Sequence, residues 1–242
     1  MASGTDGNTS KITLSNISAE HLEAFETLLS SIFSTDLAQL TYSQIIDGLP
    51  VRDVWNAYAH RRQDVEAHLE VCPESIEVWK AFRDSFQIQK LQFSSKAVQR
   101  YQDASPGTKD FNVRLLELIA VACHDTAVLL YKIADGGIGT HAEKPPPLLN
   151  YDGVPFPLLP SEFFHTEYLD WDQYPEGAAD MTGYWAEFEL FGGVVAFDRG
   201  ETDSEVCLAS VKVPSAHLIS AKTHISTQGE GTSSFSSRRN SS

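Results

Sequence analysis

Between Asp135 and Pro160 the chain carries six prolines and four glycines, in DGGIGTHAEKPPPLLNYDGVPFPLLP. No regular helix can run through such a stretch. Proline removes a backbone donor and clashes with the preceding turn, and glycine adds backbone entropy that folding must overcome. The chain is therefore divided into a part that folds before this crossover and a part that folds after it.

The part before it reads as helical. Residues 1–15 (MASGTDGNTSKITLS) are a polar, flexible lead. Ser18 then opens a helix, with Ile17 and Leu22 spaced for a hydrophobic staple, and Leu22, Phe25, Leu28, Leu29, Ile32 and Phe33 follow at helical spacing. Thr41-Tyr42-Ser43-Gln44 fits a capping box that would start a second helix, stopped at Gly48. Pro50 suits the first turn of a third helix, carrying Val54, Trp55, Tyr58, Val65 and Leu69 until Pro73 interrupts. From Glu74 the helical pattern continues through Ile76, Trp79, Phe82, Phe86 and Leu91, with an extension around Ser94–Tyr101. After the break DASPG, a long helix runs from about Asp110 to Ala134 and ends at Gly136-Gly137. Residues 16–135 thus form a bundle of five or six helices.

The part after the crossover reads as strands. Tyr184, Ala186, Phe188 and Leu190 alternate with Trp185, Glu187 and Glu189, and VVAFD and EVCLASVKV follow after turns. The expected architecture is α+β. An N-terminal all-helical bundle carries a small antiparallel β meander, because so few strands are marginal alone. The domain reading is a linker at 136–162, an acidic aromatic β module at 163–225 and a disordered Ser-rich tail at 226–242. Within that tail Arg238-Arg239-Asn240-Ser241 resembles a basophilic kinase site.

A net charge of -15 bounds the partners. Nucleic acid and anionic membranes are repelled at long range, and no basic cluster in the folded region exceeds Arg61-Arg62. The longest apolar run, VRLLELIAVACHDTAVLLYKI, contains Arg114, Glu117, His124, Asp125 and Lys132, which argues against a bilayer span. Three separated cysteines, Cys72, Cys123 and Cys207, make neither a disulfide framework nor a zinc motif, and the N-terminus has no signal-peptide pattern. These features fit a reduced, cytoplasmic protein.

Acidity is concentrated after the crossover. From Pro145 to Glu205 there are thirteen carboxylates against one base, Arg199. Within HTEYLDWDQYPEGAADMTGYWAE the acids coincide with aromatics. His165 and Glu167, two apart on an extended segment, face one way, and Glu187 or Glu189 can approach them, so His165, Glu167 and Glu187 are the candidate ligands of a divalent metal. The stretch matches no standard metal signature. For acid–base chemistry the candidates are Glu187 with His165, and Arg199 to orient a substrate carboxylate, with Trp171, Trp185 and Tyr184 lining a pocket. Cys123, His124 and Asp125 adjoin on the long helix, but successive side chains diverge by about 100°, so His124 reads as a satisfied core histidine. No phosphate-binding glycine loop, serine elbow or kinase motif is present, and no resident cofactor is called for.

The stretch from RLLELIAVACHDTAVLLYKI to FGGVVAFDRGE, residues 111–205, resembles a group of uncharacterised fungal proteins, most specifically in GYWAE and FGGVVAFDRG. Members of such groups lie among secondary-metabolism genes, which implies a small-molecule pathway. The resemblance implies no activity and no catalytic residue. Two functions follow as expectations. The first is a non-catalytic protein binding a protein partner or small ligand. The second is a cofactor-independent isomerase, cyclase or hydrolase using carboxylates and His165.

Overall fold

A computed structural model of the chain describes residues 10–54, 63–139, 153 and 159–195. Among them are seven α-helices: α1 (Ala19–Phe33), α2 (Asp36–Asp47), α3 (Gln63–Ala67), α4 (Pro73–Ser85), α5 (Ser95–Asp103), α6 (Lys109–Ala134) and α7 (Ala178–Phe191). A two-stranded antiparallel sheet pairs β1 (Lys11–Ile12) with β2 (Phe93–Ser94). The described chain is mostly helical with this one small sheet. None of its helices is long and apolar enough to cross a membrane.

Local chemistry sets most helix ends. The Ser18 side chain accepts from His21 N–H at 3.3 Å, and Thr108 accepts from Phe111 N–H at 3.1 Å. Pro73 does not merely interrupt a helix; it opens α4 from the first turn, where its missing N–H is no loss. That helix stops at Ser85 instead of reaching Leu91. The capping box expected at Thr41 is not used. α2 starts six residues earlier on Thr35, whose hydroxyl accepts from Ala38 N–H, and Thr41 and Gln44 are buried inside it. Gln44 serves the opposite end, its Oε1 accepting from Val51 N–H at 2.7 Å beyond the Gly48 stop. Of the helix expected after Pro50, residues 50–54 form a turn, Gln63–Ala67 is α3, and 55–62 lie outside the described residues.

The core begins with Phe33, Tyr42 and Trp79. Tyr42 stacks on Trp79 at 4.5 Å between ring centres, and Phe33 meets both edge-on. The Tyr42 hydroxyl donates to Cys123 O at 3.1 Å, fastening α2 to α6. The lead is not wholly flexible, because Lys11–Ile12 pair with Ser94 and Phe93 and Leu14 is buried in the core.

The largest departure from the sequence reading is at Tyr184–Leu190, which is the second half of helix α7 and not a strand. Phe163, Trp185 and Ala186 join the same core as the bundle, so residues 163–191 are not a separate β module. The runs expected as further strands lie largely outside the described residues, as do the tail and most of the proline-rich link.

Candidate functional site

Two carboxylates of α7, Asp180 and Glu187, converge on His124 of α6. Lys132 pairs with Glu176 and His124 faces Gly183, so the two helices run antiparallel. Along α7, Asp180, Gly183 and Glu187 fall on one face at helical spacing. Gly183 is what lets the helices meet there: a Cβ at this position would lie 2.5 Å from the His124 ring. His124 Nδ1–H donates to Glu187 Oε1 at 2.8 Å, and Nε2–H donates to Asp180 Oδ1 at 3.3 Å. The remaining oxygens are also taken. Val195 N–H donates to Glu187 Oε2 at 3.0 Å, and Glu176 N–H donates to Asp180 Oδ2 at 2.8 Å.

Charge follows from this geometry. Burial pulls the His124 pKa down, but the hydrogen bonds to Asp180 and Glu187, with the nearby charges of Glu187 and Asp125, outweigh it and raise the value to about 9. His124 is therefore an imidazolium at neutral pH, donating from both nitrogens. Burial alone would raise Asp180, yet the bonds from His124 and Glu176 N–H and the charges of His124 and Lys132 hold it below its ordinary value. Asp125, beside the ring, is raised by burial, with His124 and Lys11 partly opposing. Cys123 is fully buried and its thiol is pushed up to about 12, chiefly by burial, so it is no nucleophile.

Aromatic rings cover the triad. Tyr184 lies edge-on to His124 at 4.7 Å, Tyr168 stacks on Tyr184 at 4.7 Å, and Tyr174 meets Tyr184 edge-on at 5.2 Å. Outside this platform the loop between Tyr168 and Tyr174 stands in solvent. Trp171 is 40% exposed and Leu169 37%, amid exposed Glu167, Asp170 and Asp172.

The residues singled out in the sequence are distributed differently from the expectation. Glu187 is at the centre, but its partner is His124 and not His165. His165 packs against Phe188 at 4.5 Å, accepts from Glu167 N–H at 3.3 Å through Nδ1, and has its pKa lowered by burial. The expected metal set of His165, Glu167 and Glu187 does not assemble: Glu167 faces solvent, Glu187 is committed to His124, and no group of three or more His, Cys, Asp or Glu among the described residues is placed to hold a metal. The Asp180–His124–Glu187 triad cannot substitute, because its carboxylates bind opposite edges of the imidazole. Of the expected pocket residues, Tyr184 lines the site, Trp185 is core against Phe163, and Trp171 is exposed. Arg199 lies outside the described residues. The sequence reading missed Asp180 and Gly183. The signal for them was the i, i+3, i+7 spacing with Glu187, which is visible only once 178–191 is read as a helix.

Gly183→Ala should destabilise the protein by about 2 kcal/mol in urea denaturation, within the range for overpacking a core. In a His124→Ala background the same change should stabilise, because alanine is then only the better helix former. A double-mutant cycle reads that reversal of sign.

Fold and site together define, among the described residues, a helical bundle in which α6 is fastened to α7 by a largely buried carboxylate–imidazolium–carboxylate triad. No protein family, curated protein or solved structure gives a match to this chain.

Proposed function

We propose that this is a non-catalytic binding protein whose acidic aromatic loop, residues 167–173, docks a basic segment of a protein partner. The observation that carries the reading is Trp171, a large aromatic left in solvent beside Leu169 and ringed by Glu167, Asp170 and Asp172. Aromatics in that position supply contact area and cation–π attraction, and the carboxylates draw in lysine and arginine. On the resemblance of residues 111–205, such a protein would serve as an accessory of a fungal secondary-metabolite pathway. The alternative, a cofactor-independent enzyme using Glu187 and His165, needs a free Glu187 oxygen, and both are hydrogen-bonded.

The test is a panel of lysine- and arginine-rich peptides measured against the full chain by fluorescence polarisation. Binding should weaken with salt. It should fall about tenfold or more in Trp171→Ala, an ordinary loss for an exposed aromatic anchor. No binding to any basic peptide, or equal binding by Trp171→Ala, would sink the proposal.

A further inference from the structure

The exposed loop is built on a single, largely buried group. Its two bracketing rings, Tyr168 and Tyr174, both pack on Tyr184, and Tyr184 packs on the His124 imidazole. Just past the loop, Glu176 N–H is held by Asp180, whose other oxygen accepts from His124. The Glu176 carboxylate pairs with Lys132 on α6. On the far side, Glu187 joins the same imidazole to Val195 N–H. One ring therefore touches Tyr184 and Asp180, which support the loop, and Glu187, which holds the segment that follows α7.

We propose that His124 is the positioning residue of this surface: its two N–H donors latch Asp180 and Glu187, and through them and Tyr184 fix the loop that presents Trp171. The proposal rests on the binding reading for its purpose, though not for its test. The chemistry requires both protons. A neutral imidazole has one N–H and one lone pair, and a lone pair cannot face a carboxylate. Deprotonation must therefore break one link, and the longer bond to Asp180, on the loop side, is the weaker.

The charged and titratable groups around the ring are Asp125 and Lys132 from α6, Asp180, Tyr184 and Glu187 from α7, and Glu176, Tyr168 and Tyr174 from the loop. Lys11 of β1 acts on Asp125, and Tyr42 of α2 lies within the field of Glu187. Among these, His124 is the group that titrates near 9, since Tyr42, Tyr168, Tyr174 and Tyr184 are raised above their ordinary 10.

The experiment is a titration of the isotope-labelled full chain by NMR, from about pH 6 to pH 10. The amides of residues 168–177 should shift with one midpoint near 9, shared with the His124 ring, while those of α1 stay still. His124→Gln should abolish that titration and raise amide exchange over the same residues about tenfold or more, as a released local unit does. If His124 titrates and the loop amides do not follow, the latch is wrong, and the wild-type titration decides this even if the variant fails to fold. Loop titration without binding of any basic peptide keeps the latch and removes the binding reading.

Discussion

Replacing His124 by leucine is expected to lower stability by about 3–5 kcal/mol at neutral pH, the cost of leaving buried charges without their counter-charge. Asp180 and Glu187 are 13% and 7% exposed in their side chains, and both bond the same ring. Leucine fills much of the space but offers no donor, so two carboxylates must ionise in a poorly solvated seam or take up protons.

The pH dependence separates this from a simple packing loss. The folded-state pKa of His124, about 9, lies above its ordinary 6.5. The folded chain therefore holds a proton that the unfolded chain releases. The stabilisation is complete below about pH 6.5 and is lost as pH rises through about 9, a total on the order of 3 kcal/mol. Asp180, held below its ordinary value, works in the opposite sense: its share is present above the unfolded pKa and is lost as pH falls through the folded one. The gap between wild type and His124→Leu should thus be widest near pH 6–7 and shrink toward both extremes. Urea denaturation of both proteins at a series of pH values measures it. A gap constant with pH would show that His124 acts only as a filler of space.

The bundle was largely legible in the sequence, and the site was not. Residues 19–33 carry apolar residues at helical spacing behind a Ser18 start, 109–134 form a long apolar run closed by Gly136-Gly137, and both fold as read. α7 misled because it is buried on nearly all sides, with Ala179, Met181, Thr182, Gly183, Trp185, Ala186 and Glu187 all inaccessible. A helix wedged between α6 and α2 shows no apolar stripe, so the chance alternation from Tyr184 to Leu190 dominated. Reading a strand there aimed Glu187 at His165 and concealed Asp180. His124 was expected to be a satisfied core histidine; it is satisfied, at the edge of the core, and its partners are 56 and 63 residues away, beyond the reach of any local pattern. Gln44 illustrates the same limit on a smaller scale. Its spacing from Thr41 fits a cap, yet its hydrogen bond closes the other end of the helix.

The second large effect lies where α2 and α6 end together. The last carbonyls of α2 have no partners within the helix. They are supplied from beyond α6: Ile138 N–H donates to Ile46 O at 3.0 Å, and Gly139 N–H donates to Asp47 O at 3.1 Å. For those donors to arrive, Gly137 must press against the α2 terminus. A Cβ on Gly137 would fall 2.1 Å from Asp47 O and 2.4 Å from Gly48 Cα, both backbone atoms that cannot rotate aside. Gly136, its neighbour, has nearly the same left-handed φ, 95° against 98°, but nothing lies within 4 Å of its added Cβ. The pair therefore separates backbone strain from steric exclusion. Gly136→Ala should lose about 1–2 kcal/mol, the cost of a left-handed alanine alone. Gly137→Ala should lose about 4 kcal/mol or more, since the same strain is joined by displacement of two hydrogen bonds whose acceptors, on Ile46 and Asp47, belong to buried residues, each costing about 1–3 kcal/mol when a group is left unsatisfied. Thermal or urea unfolding of the two variants compares them directly. Equal losses would mean that the two helix ends do not meet as closely as this packing requires, and that α2 is capped by something other than the chain leaving α6.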